Sequence, residues 1–249
     1  LIDSLIDEKK SERRYRYISR GIIIFFIVLI LFLLPSTNTN FTDNHVAVID
    51  INGMISVAGP VNVKKILPLI KDAFNNDSCE GVILKINSPG GSATQSKIIF
   101  DEILKIRGTS KKKIFSVIED VGASGGYYIA ASGEKIFSSP SSIVGSIGVR
   151  LDSFNIESLV QKLGIEPQIL SSGKDKTILD PFSKLSSMHR LHLENLLSDI
   201  HNQFISDIKL SRNKKIMDKN VFTGLFWTGT EAYKNGLVDE IASIYDVNN

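Results

Sequence analysis

The chain has 249 residues, 43% of them hydrophobic and 22% charged, values that suit one globular domain with room for an appendage. Its formal charge of +2 divides into six basic and five acidic side chains over residues 1–44, leaving 23 basic and 22 acidic for the remainder. A body near +1 has no net field to hold a polyanion, which excludes the usual electrostatics of nucleic-acid binding, and the single cysteine, Cys79, excludes an intrachain disulfide.

The first recognisable element is Ile22–Leu34, thirteen consecutive apolar residues without a charge. As a helix it covers about 20 Å, short of a hydrocarbon core of roughly 30 Å unless residues before it join, with Arg20 snorkelling. Lys9, Lys10, Arg13, Arg14 and Arg16 lie upstream, and the stretch after Pro35 is polar and uncharged until Asp43. That asymmetry predicts a cytoplasmic N-terminus and a body on the far side of the membrane. The competing reading is a cleaved signal peptide, for which Leu34–Asn40 offers a poor cleavage site. The chain therefore divides into a basic N-terminus (1–20), an anchor or signal segment (21–35), a linker rich in Ser, Thr and Asn (36–44), and a body (45–249).

Along the body, strand-type runs alternate with helical spacing. Strands are predicted at Val46–Ile55, Gly81–Ile86 and Ile114–Ile118. Helices are predicted at Val61–Phe74, Ser96–Ile106, Tyr127–Ala131 and, long and amphipathic, from Ser187 to about Ile208; an extended run is predicted at Pro167–Leu170. The alternation implies an α/β fold with helices packed on a sheet.

Two glycine clusters follow predicted strands. In Asn87-Ser88-Pro89-Gly90-Gly91-Ser92, glycines let backbone approach a ligand and present N–H groups to an oxyanion, although taken alone the segment reads first as a plain strand-to-helix turn. In Gly122-Ala123-Ser124-Gly125-Gly126-Tyr127-Tyr128, Ser124 falls at a helix N-terminus, where it serves either as a nucleophile or as an ordinary N-cap. The same residues match the G-x-S-x-G pattern of hydrolase nucleophile elbows, which need a histidine. Of the four histidines, His45 lies just past the linker, and His189, His192 and His201 fall within the long helix, where solvated surface roles dominate. His189 and His192 also lack a third ligand at metal spacing. Lysine is the usual alternative base, and it must be desolvated or placed near positive potential to accept a proton. Ser171-Ser172-Gly173-Lys174-Asp175-Lys176-Thr177 carries two lysines in a loop of small and polar residues, where spacing alone reads them as surface charges.

Taken in order, these segments resemble the signal peptide peptidase A type of serine protease in its short, single-domain form. The resemblance runs from about Val46 to the C-terminus. It rests on Ile86–Ser92, Gly122–Tyr128, Gly145-Ser146-Ile147-Gly148-Val149, Ser172-Gly173-x-x-Lys176, and the ending Thr228-Gly229…Ala232…Gly236-Leu237-Val238-Asp239-Glu240. It implies Ser124 as nucleophile, Lys176 as general base, Ser146 as the serine that orients the lysine, and backbone N–H groups of Gly90 or Gly91 and of Gly125 as oxyanion hole. It implies a fold similar to Clp protease and crotonase subunits, a spiral of β-β-α units assembled as a ring or dome in which a neighbouring subunit can supply the lysine. Substrates implied are remnant signal peptides and other membrane-associated peptides, cut at the extracytoplasmic face of a bacterial inner membrane. No cofactor or metal is implied. One departure from the family pattern is Asp175, since an ion pair with Lys176 would keep the base protonated. Two other readings are a ring-forming membrane scaffold without catalysis and an esterase dependent on His189, His192 or His201.

Overall fold

The computed structural model describes residues 17–29, 43–212 and 214–247. The chain divides into two compact units, Leu1–Thr42 and Asp43–Asn249. In the first, residues 17–29 form helix α1, exposed along its length. No helix among the described residues is long and apolar enough to cross a membrane. Residues 1–16 and 30–42, which carry the basic flank, the end of the apolar run and most of the expected linker, lie outside the described residues.

The second unit is built on a seven-stranded sheet. Strand β1 (His45–Asn52) leads through helix α2 (Val63–Asn75) to β2 (Cys79–Ser88). Helix α3 (Ala93–Thr109) leads on to β3 (Lys113–Ala123), and α4 (Gly125–Ala130) to β4 (Lys135–Ser138) and β5 (Ile143–Gly145). The short α5 (Glu157–Lys162) precedes the long α6 (Ser187–Arg212), and the chain ends with β6 (Phe226–Thr228), α7 (Gly229–Lys234), β7 (Glu240–Ile241) and α8 (Ile244–Val247). The strand order is β1-β2-β3-β4-β7, with β5 paired to β3 and β6 to β5, and only the β5–β6 pair is antiparallel.

Parallel neighbours need crossover helices, and a sheet covered by them carries continuous apolar runs rather than strict alternation. The run Val82–Ile86 has that character, and Val82, Leu84 and Ile86 on one face meet Ile66 and Ile70 of α2 and Ile99, Phe100 and Ile103 of α3 in the main core. Ile83, Val117 and Phe137 point to the opposite face, where Ala242, Ile244 and Val247 pack on them. Asn62 and Ser92 start α2 and α3 by accepting hydrogen bonds from the amides of Lys65 and Gln95, as N-cap side chains do.

The expected strands and helices recur with shifted ends, while Pro167–Leu170 joins no ladder. Its apolar side chains find no covering element within the chain: Leu170 is 98% exposed. The ending motif proves to be a lock on the fold. Thr228 and Glu231 form a capping box at α7, and a Cβ on Gly229 would overlap the Ser139 carbonyl oxygen. Asp239 accepts from Arg212 Nη1 at 2.5 Å, Lys215 Nζ at 2.5 Å and the Ile136 amide at 2.8 Å. Burial pushes the Asp239 carboxyl up, but the hydrogen bonds from Arg212 and Lys215 outweigh it and hold it below the ordinary carboxylate range.

Candidate active site

The centre of the site follows from strand register. Ala123, the last residue of β3, is paired with Gly145, the last residue of β5, so Ser124 and Ser146 emerge side by side from adjacent parallel strands. Such strands run about 5 Å apart. Both serines turn out of the sheet with positive φ, 52° at Ser124 and 54° at Ser146, and they are the only non-glycine residues to do so among the described residues. That conformation costs on the order of 1–3 kcal/mol and persists only where surrounding structure imposes it. Here the Ser124 amide donates to the Gly145 carbonyl at 2.8 Å and the Ser146 amide to the Leu225 carbonyl at 2.7 Å.

Ser124 occupies the N-cap position of α4, yet its hydroxyl makes no capping hydrogen bond. An ordinary N-cap serine spends its oxygen on an amide of the first helical turn. The Ser124 Oγ is left uncommitted among the described residues, on a half-buried side chain.

The loop after β2 lies directly against it. Gly90 has φ of 101°, and a Cβ there would stand 2.7 Å from Ser124 Cβ and 2.8 Å from the Gly125 nitrogen, so this position takes no side chain. Gly91, at φ of 144°, is tied between Ile55 partners: Ile55 donates to the Gly90 carbonyl at 2.9 Å and Ser92 to the Ile55 carbonyl at 2.7 Å. The two candidate amides of this loop differ in kind. The Gly90 N–H is committed to Ser88 Oγ at 3.2 Å, and Ser88 in turn donates to the Gly53 carbonyl at 2.6 Å. The Gly91 N–H and the Gly125 N–H, at the first position of α4, have no acceptor among the described residues. Two uncommitted amides beside an uncommitted serine hydroxyl are the arrangement that stabilises a tetrahedral oxyanion.

Lys176 is placed differently. It lies exposed in a run of turns between α5 and α6, with its amide bonded to the Gly173 carbonyl at 3.1 Å and its ammonium in no ion pair or hydrogen bond among the described residues. The feared partner, Asp175, turns the other way and meets His189 Nε2 on α6 at 2.9 Å. That hydrogen bond, reinforced by Lys174 and His192, holds the Asp175 carboxyl below its ordinary value. Along α6 the histidine that holds this loop precedes His201 by twelve residues, about 18 Å of helix, and His201 bonds the Ile147 carbonyl next to Ser146 at 3.0 Å. Within one chain, therefore, the Lys176 loop and the two serines attach to different stretches of α6. Neither His189 nor His201 has a hydrogen bond to Ser124, and His192 is exposed on the same helix. No cluster among the described residues could hold a metal ion.

Sequence reasoning missed Ser88, which distinguishes the two glycine amides, and the contacts of α6 to the site through His201 and Asp207. Both depend on side chains far apart in the chain, and no local pattern marks them.

A strained, uncapped serine beside unpaired amides at the end of parallel strands is an arrangement suited to acyl transfer through a serine, and comparison with known proteins gives the family. The model of peptidase family S49 matches residues 107–249, a span that holds Ser124, Ser146 and Lys176 but not Gly90 or Gly91. The chain is 36% identical over 208 residues to a Brucella melitensis protein named as the Na(+)/H(+) antiporter NhaA, covering 81% of this chain and 28% of that protein. It is 30% identical over 212 residues to a candidate signal peptide peptidase SppA of Enterococcus faecium, covering 80% of this chain and 60% of that protein. It is 30% identical over 218 residues to Protease 4 of Haemophilus influenzae, covering 83% and 34%. The chain belongs to peptidase family S49, the signal peptide peptidase A type of serine protease. It spans less than two thirds of the length of these three relatives.

Proposed function

We propose that this chain is a membrane-anchored serine endopeptidase in which Ser124 is the nucleophile, Lys176 the general base and Ser146 the residue that orients the lysine. The observation that carries the proposal is the positive-φ Ser124 with its unused hydroxyl, flanked by the unpaired amides of Gly91 and Gly125. A neutral Lys176 takes the Ser124 proton as Oγ attacks the peptide carbonyl. The oxyanion receives the two amides, the ammonium returns its proton to the leaving amine, and the acyl-enzyme is then hydrolysed by water that the same lysine activates.

The base acts in a neighbouring copy. The attachment of its loop to α6 at His189, about 18 Å along the helix from His201, supports this, as does its exposure within one chain. Burial against a second copy would supply the desolvation a neutral lysine requires. The body is the spiral of β-β-α units similar to Clp and crotonase subunits, assembled as a ring or dome. Residues 21–35 anchor it with the N-terminus in the cytoplasm and the protease domain outside the inner membrane of a bacterium, where it cuts remnant signal peptides and other membrane-associated peptides. The name of the Enterococcus relative supports that substrate class.

The test is cleavage of a short hydrophobic peptide by the full chain in detergent, with Ser124→Ala and Lys176→Ala prepared separately and co-expressed. Two inactive variants that recover activity together establish the intersubunit dyad. Full activity of Ser124→Ala sinks the nucleophile assignment, and an assembled but inactive wild type unlabelled by a fluorophosphonate points to a scaffold.

A further inference from the structure

Helix α6 touches the site from one face, through residues spaced three apart. His201, Phe204 and Asp207 lie along one side of a helix with 3.6 residues per turn. The His201 Nε2 stands 3.0 Å from the Ile147 carbonyl oxygen, which only accepts, so the ring carries its proton on Nε2. Ile147 is the residue after Ser146. The Phe204 ring stacks on Tyr128 with centroids 4.2 Å apart and planes 17° from parallel. The Tyr128 hydroxyl donates to Asp207, and its amide donates to the Ser124 carbonyl at 2.9 Å, one helical turn from the nucleophile.

Asp207 is itself held from two sides. Gln203 Nε2 lies 3.1 Å from both of its oxygens, and Lys97 Nζ of α3 lies 3.1 Å from one of them and 2.6 Å from Asp101. Burial pushes the Lys97 ammonium down, but the hydrogen bonds to Asp101 and Asp207 outweigh it and raise its pKa above the ordinary value. Packing alone does not call for this arrangement. Apolar side chains of similar volume would hold α6 as firmly as a buried carboxylate does, whereas directional hydrogen bonds fix where its neighbours sit.

We propose that the His201–Phe204–Asp207 face of α6 is a positioning surface that sets the spacing of the Ser124 helix against the Ser146 loop. It grips the first through Tyr128 and the second through the Ile147 carbonyl. The two serines leave separate strands, and both hold backbone conformations that relax unless restrained, so a brace common to both keeps hydroxyl, amides and lysine-orienting serine in register. Displacements near 1 Å in such geometry cost up to about 100-fold in rate.

This rests on the Ser124, Ser146 and Lys176 reading above. The experiment measures kcat, KM and the rate of fluorophosphonate labelling of Ser124 on the full chain for Tyr128→Phe, His201→Leu and His201→Gln, with thermal unfolding recorded for each. His201→Leu and Tyr128→Phe are expected to lower kcat and labelling rate about 10- to 100-fold, with KM and the unfolding midpoint little changed. His201→Gln, which keeps a donor at the position of Nε2, is expected to restore most of the rate. Wild-type kcat in His201→Leu and Tyr128→Phe, or equal loss in His201→Gln and His201→Leu, overturns the proposal. Ser124→Ala in the same series separates the two ideas. If it is inactive while the α6 variants are normal, the brace alone fails; if it remains active, the underlying dyad fails.

Discussion

Residues 45–147 and residues 148–186 of the same unit are built on opposite terms. In the first, Ile51, Leu84, Ile86, Ile99 and Phe100 are fully buried in a core that the chain closes by itself. In the second, Phe154 is 80% exposed and Leu163 65% exposed, and Val160 is the one buried apolar residue among them. The nucleophile side of the proposed dyad comes from the first region and the base from the second. One chain builds the serine, the glycine amides and the strand that carries Ser146, whereas Lys176 lies exposed in a polar loop between exposed apolar side chains, and the proposed dyad therefore requires a second surface to cover it.

Four experiments would break or sharpen that contrast. The largest effect is expected for Ser124→Ala, which should lower peptide cleavage on the order of 10⁴-fold or more while leaving the thermal unfolding midpoint near that of wild type, read by a discontinuous peptide assay. Next is the lock that closes the first region. Asp239→Ala strands the buried Arg212 guanidinium and should destabilise the fold by about 3–5 kcal/mol in urea titrations. The Asp239 carboxyl titrates below its unfolded value, so its contribution is present above about pH 4 and is lost as pH falls through the lowered folded value. The Asp239→Asn variant should accordingly show a flatter loss of stability in acid than wild type. Third, Gly91→Ala forces a side chain into left-handed backbone and onto the Ile55 carbonyl. A cost of about 2–3 kcal/mol in stability is expected, with loss of labelling at Ser124. Smallest in stability is Leu170→Ser, expected within about 0.5 kcal/mol of wild type because that side chain touches nothing in its own chain. Its activity and assembled mass should fall together, by peptide assay and light scattering, and unchanged values for both would remove the segment from any interface.

Much of the first region was legible before its structure. The runs Gly81–Ile86 and Ile114–Ile118 are apolar and short and are followed by glycines, and they became β2 and β3 because a covered parallel sheet demands that composition. Ser124 was legible as one of two things, nucleophile or N-cap, and the structure places it at the N-cap position without the capping hydrogen bond. β5 is three residues long and carries no periodicity, so nothing local revealed that its pairing with β3 brings Ser146 beside Ser124. The ending motif was legible as a signature but not as a lock, because Asp239 meets Arg212 across 27 residues of chain.

By itself the sequence determined the alternation of strands and helices, the position of a serine among glycines at a strand end, and the lysine-bearing loop. Each of these is written in neighbouring residues, whose composition sets backbone freedom and local burial. Only the tertiary structure decided that Gly91 rather than Gly90 has an amide to offer, since Ser88 takes the other. Only it showed Asp175 turned to His189 instead of Lys176, and α6 in contact with the Lys176 loop, the Ile147 carbonyl and helix α4. Those outcomes depend on which hydrogen-bonding groups reach each other after the chain closes, and a buried donor or acceptor takes whatever partner the packing presents.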